Sequence, residues 1–286
     1  MADKARPSAE RIIRSLLLAI GFFLIYYAAR TLVSNVITLL LISKYHDTSK
    51  VISVFNHNAN AISLLCNLAV AAVIVAVILI KKQNIRRTLC LNKAPARVII
   101  LSALAGIFLN FATSGIISLL PKSLLKQYAS ATSTIGYGSS LWFILSAIIA
   151  APIIEELIFR SLITSSLVSG FGKVLSVLIS SLIFGAIHSG AVWQTYAFFL
   201  GVVLASVFLR TGSAYASITL HFAFNAMNLF PYLSYVIKDA GTLSAIHSVL
   251  TYASIPLALI TLFLIFFTTR PRAVSRDGDA KESELS

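Results

Sequence analysis

The chain has 286 residues, 58% of them apolar and only 12% charged, a composition that excludes an ordinary water-soluble domain. Its formal net charge of +13 suggests an anionic partner, but the Lys and Arg residues sit at the ends of apolar runs and form no recognisable nucleic-acid-binding motif. Anionic lipid headgroups are therefore the expected partner, and nucleic acid is not.

Crossing about 30 Å of hydrocarbon takes roughly 20 apolar residues as a helix. Eight runs are candidates: 12–42, 58–80, 98–120, 139–167, 174–188, 192–209, 214–233 and 245–267. The predicted fold is thus an all-α polytopic membrane protein, a bundle of about eight transmembrane helices. Lys and Arg concentrate in the segments around 4–11, 81–97, 173, 210 and 270–281, which places both termini in the cytoplasm. Residues 1–11 and 270–286 read as disordered tails. Residues 12–97 read as a front pair of helices with a basic loop, and 98–269 as a six-helix block, within which the stretch 139–230 holds the motifs considered below. The Ser-, Thr- and Gly-rich loop 121–140 is placed to cover or line an entrance. Cys66 and Cys90 give neither a disulfide framework nor metal-ligand spacing, and no role is expected for either.

Between Asp47 and Asp239 the only acidic residues are Glu155 and Glu156, inside an apolar run. A charge at mid-helix costs about 2.5–3.5 kcal/mol on insertion scales, so such residues face a bundle interior or wet cavity and mark function. Glu156 and Arg160 are four apart and pair on one helical stripe, which accounts for one acid structurally. Glu155 points about 100° away and has no cation at helical spacing, as a general base requires. His188 closes the run 174–188, one turn after Phe184, while His221 and Asn225 project from one face of the seventh run. By these boundaries Glu155 and His221 lie near mid-membrane, but His188 falls near the outer end of its helix. His46, His57 and His247 fall in or beside outer loops and read as solvated.

Two carboxylates, two imidazoles, a carboxamide and a guanidinium on three helices are an inventory for activating water against an amide. Glu155, His188 and His221 are also possible zinc ligands, although no helical H-E-x-x-H motif is present. A proton-coupled transporter is disfavoured by the lack of an internal repeat.

Glu155-Glu156-Leu-Ile-Phe-Arg160, Phe184-x-x-x-His188 and His221-x-x-x-Asn225, in that order, resemble the three motifs of the type II CAAX prenyl endopeptidases and their bacterial Abi relatives, the CAAX-protease and bacteriocin-processing family. The resemblance implies an intramembrane glutamic endopeptidase that uses activated water and no cofactor. It makes Glu155 the general base, His188 a second holder of the water, and His221 with Asn225 the oxyanion donors. Glu156 and Arg160 would polarise the site, and Phe184 would pack it. The expected substrate is a small peptide or membrane-associated protein, such as a pheromone, bacteriocin or leader, rather than a prenylated terminus. Short loops favour a multi-pass protein of a bacterial plasma membrane. The alternative is a non-proteolytic bacteriocin-immunity or membrane scaffold protein of the same fold.

Overall fold

In the computed structural model, which describes residues 8–133 and 141–271, every regular element is a helix. They are α1 (Ala9–Tyr45), α2 (Thr48–His57), α3 (Ala59–Ile80), α4 (Ile85–Thr88), α5 (Ala96–Ser118) and α6 (Lys122–Thr132). There follow α7 (Leu141–Ala186), α8 (Ala191–Thr211), α9 (Ala214–Ala226), a 3-10 stretch Met227–Tyr235 and α10 (Ala240–Thr268). Among the described residues six of these, α1, α3, α5, α7, α8 and α10, are long and apolar enough to cross a membrane. Their outward faces carry exposed Leu, Ile and Phe side chains such as Leu32, Leu182 and Phe263, as a lipid-facing surface does. The chain is therefore an all-α polytopic membrane protein.

Runs 139–167 and 174–188 are the two limbs of α7, divided at Gly172. Run 214–233 is an α-helix for only 13 residues and then tightens into the 3-10 stretch. α1 begins at Ala9, with the Ser8 hydroxyl accepting from the Arg11 amide, so residues 9–11 are helical rather than disordered. Residues 1–7 and 272–286 of the two expected tails lie outside the described residues. So do residues 134–140 of the loop 121–140, whose first part is helix α6.

Helix α7 is a hairpin. Gly172 has φ 69 and ψ 175, a left-handed backbone that only glycine adopts without strain, and the chain reverses there. Residues equally far from it then meet across the fold: the Thr164 hydroxyl donates to Ser180 Oγ at 2.8 Å, and the Phe159 and Phe184 rings lie 5.2 Å apart. The first limb also changes pitch twice. Ile144–Ala150 and Leu157–Thr164 are π-helical, bracketing the short α segment Ala151–Glu156 that holds both glutamates. π turns interrupt α-helices mostly at functional sites.

Small residues let the helices approach closely. A Cβ on Gly106 of α5 would fall 2.1 Å from the Leu220 carbonyl oxygen of α9. One turn further along α5, Asn110 Nδ2 donates to the Phe224 carbonyl at 2.9 Å, where α9 is about to lose its α register. The helix that carries His221 and Asn225 is thus held against α5 by backbone contact and a side-chain hydrogen bond. At one end of the bundle the basic loop after α3 meets the α8–α9 turn. Ser213 Oγ donates to the Asn92 carbonyl at 2.5 Å, and Asn92 Nδ2 donates to the Gly212 carbonyl at 2.8 Å. Arg97 donates to the Thr268 carbonyl at 2.8 Å and Arg210 to that of Phe266, so the basic loop after α3, the α8–α9 turn and the last turn of α10 share one end.

Candidate active site

A cavity of about 740 Å³ opens among the helices, and its wall carries Glu155, Phe184, His188, His221 and Asn225 from all three motifs. α1 and α3 supply much of the opposite wall, including Tyr26, Arg30, Ser34, Ser63 and Cys66, so the front pair of helices belongs to the site as much as the six-helix block does. Tyr128 of α6, in the first part of loop 121–140, also lines it.

The two glutamates divide. Glu155 reaches the cavity with its side chain 13% exposed, and its Oε2 lies 4.0 Å from His221 Nε2. Glu156 is completely buried behind the wall. Its Oε2 accepts from Arg160 Nε at 3.1 Å, and its Oε1 is 3.1 Å from His221 Nδ1. Arg160 is equally buried, and its guanidinium lies 4.8 Å from the centre of the Phe184 ring, whose face accepts cationic charge. Glu156 thus meets Arg160 and His221 and is not on the cavity wall. An ionised Glu156 can only accept, so His221 carries a proton on Nδ1 and turns Nε2 toward Glu155.

His188 reaches the same space by bending back. α7 ends at Ala186, and His188 Nδ1 donates to the Phe184 carbonyl at 2.8 Å. This folds the ring over the preceding turn, 5.0 Å from Phe184, which is itself 5.8 Å from His221. Although the sequence sets it near a helix end, His188 shares the cavity wall with Glu155 and His221. Trp193 packs 5.1 Å from the other side of the imidazole, and Gln194 Nε2 donates to the His188 carbonyl at 3.0 Å. Like His221, His188 is fixed with a proton on Nδ1 and Nε2 free to face a ligand.

Asn225 has a structural task that the sequence does not reveal. In the π segment before Glu155, the Ala151 amide donates to the Ser146 carbonyl five residues back. The next donor in that ladder would be residue 152, which is proline and has no N–H to give to Ala147. Asn225 Nδ2 fills the gap, donating to the Ala147 carbonyl at 2.9 Å. One of its two amide hydrogens is thereby spent tying α9 to the glutamate limb, and one remains for the cavity. Replacing Asn225 with Leu leaves a carbonyl without a donor, an expected loss of about 1–3 kcal/mol. Pro152→Ala, which restores the missing N–H, should recover about 1 kcal/mol in the Asn225→Leu background and much less in the wild type. Unfolding midpoints of the four proteins in one detergent check this, and additive effects would refute the link.

Among the described residues no three His, Cys, Asp or Glu side chains are gathered as a metal-binding group. His46, His57 and His247 lie away from the cavity wall, and His247 packs against Phe111 and Phe230 at 5.8 and 5.6 Å. Cys66, for which the sequence suggests no role, lines the cavity, while Cys90 is buried in the basic loop.

Residues 137–227 match the family model described as type II CAAX prenyl endopeptidase Rce1-like. The match begins at the glutamate limb and ends just past Asn225, so it covers the three motif helices and leaves out α1, α3 and α5. No curated protein and no solved structure matches the chain.

Proposed function

We propose that the Rce1-like domain of residues 137–227 makes this chain a membrane-embedded endopeptidase in which Glu155 activates water against a peptide bond. The observation that carries this reading is the single carboxylate on the cavity wall, facing one imidazole that is locked from behind by a buried ion pair and sharing the wall with another. Glu155 removes a proton from water as the oxygen bonds to the peptide carbonyl carbon. The same proton passes to the amine as the C–N bond breaks, so no acyl-enzyme forms. His188 Nε2 accepts a hydrogen bond from that water and aims it. The second Asn225 N–H donates to the developing oxyanion, and so does His221 Nε2 when the ring is an imidazolium.

The substrate is a small peptide or membrane-associated protein terminus, of the pheromone, bacteriocin or leader kind, processed at a bacterial plasma membrane. A largely apolar cavity reached by residues from mid-membrane suits a chain delivered from the bilayer. The test is cleavage of a peptide panel, lipidated and plain, by the purified protein in vesicles containing anionic lipid, with and without a zinc chelator. Cleavage unchanged by the chelator is expected. Loss on chelation would give Glu155, His188 and His221 to zinc. No cleavage of any peptide, together with capture of an intact peptide, would favour the immunity or scaffold reading.

A further inference from the structure

Arg30 lies deep in the apolar sequence of α1, between Tyr27 and Leu32, and on the cavity wall. Among the described residues, it and Glu155 are the only wall residues of the Lys, Arg, Asp and Glu types. Its guanidinium lies 5.4 Å from the centre of the Tyr26 ring, which shares the cavity wall with Glu155.

The arginine is held but not neutralised. Its Nη1 donates to Asn67 Oδ1 of α3 at 2.6 Å, one of five N–H donors directed at an uncharged acceptor. Among the described residues no ion pair includes Arg30. Asn67 is fully buried, and turning its oxygen to Arg30 leaves Nδ2 without an acceptor in the protein. The amide is oriented for the guanidinium's benefit at its own expense. A positive charge kept in an apolar helix and aimed into a cavity calls for an anion that arrives with the ligand.

We propose that Arg30, positioned by Asn67, binds a carboxylate of the peptide substrate and so selects peptides that carry one near the bond cut at Glu155. This rests on the proteolytic reading above. A carboxylate could be the chain terminus or an Asp or Glu side chain, and both offer the same two-oxygen acceptor to the guanidinium fork. A mere clasp between α1 and α3 would bind neutral and anionic peptides alike.

The experiment uses the full-length protein in vesicles and a pooled library of randomised peptides in four forms: free C-terminus, amidated C-terminus, free C-terminus with Asn and Gln in place of Asp and Glu, and amidated C-terminus with the same replacement, which carries no carboxylate. The wild type should prefer one carboxylate class, and the form that loses preference identifies the source. Arg30→Gln should raise KM for that class by about ten- to a hundredfold with kcat changed only a few-fold, and leave neutral forms unchanged. Arg30→Lys should fall between the two. Equal treatment of all four forms by the wild type, a result that needs no variant to fold, would overturn the proposal, as would equal losses on forms with and without a carboxylate. If no peptide is cut, retention of the pools by Glu155→Gln protein decides separately from proteolysis. Preferential retention of carboxylates, abolished by adding Arg30→Gln, supports the seat, and indifferent retention removes it.

Discussion

Glu155→Gln should lower the cleavage rate by about two to four orders of magnitude, the usual contribution of a positioned general base. The same change should move the unfolding midpoint very little. Among the described residues the Glu155 carboxylate approaches His221 only to 4.0 Å, its side chain remains partly exposed to the cavity, and Gln has the same shape. Substitutions that touch no buried partner commonly stay within about 0.5 kcal/mol. Single-turnover cleavage paired with thermal unfolding of the same sample checks both halves. Near-normal cleavage by Glu155→Gln would move the base elsewhere and end the mechanism.

Glu156→Ala should do the opposite first and the same second. It strips the buried Arg160 of its only anion and His221 of the acceptor that fixes its ring. Breaking a buried pair from one side costs about 3–5 kcal/mol, because the remaining charge stays desolvated. For a chain of this size that is a fall of roughly 10 °C in the unfolding midpoint. Glu156→Leu combined with Arg160→Met should recover most of the loss, since well-packed apolar residues often replace a buried pair without penalty. Activity should not return with stability, because His221 Nδ1 would still lack its carboxylate. A stable double variant with full activity would show that Glu156 and Arg160 serve packing alone.

The membrane class and the motif helices are legible in the sequence because desolvation makes their signals expensive to produce by chance. Long apolar runs, two acids in 190 residues of such sequence, and polar pairs one turn apart all stand out. What separates Glu155 from Glu156 is legible only in part. Helical spacing shows that they point in different directions, but which direction is the cavity depends on where α9 and α7 pack. Arg30 obeys the same rule as the glutamates, an ionisable group inside an apolar run. It is masked by standing in a first helix whose basic start draws attention to the ends. The Asn225–Ala147 bond needs knowledge of the π register around Pro152, and the bent-back His188 needs a side-chain hydrogen bond, neither of which hydropathy can express. The division between runs 139–167 and 174–188 falls at Gly172, where one backbone angle reverses the chain.

The π turns on either side of the glutamates bear on how this limb can change over generations. Ile144–Ala150 and Leu157–Thr164 hold more residues per turn than an α-helix does, so loss of one residue would let either stretch relax into the ordinary winding. The flanks would keep nearly their original facing, because the wider turn has already absorbed the extra residue. The same loss from the α segment Ala151–Glu156 between them would rotate everything beyond it by about 100° relative to what precedes it. A deletion there ahead of Glu155 would swing the acids past their partners. The π stretches are thus where this limb can change length, and the residue count of Ala151–Glu156 is part of the site's chemistry, as surely as the carboxylates themselves.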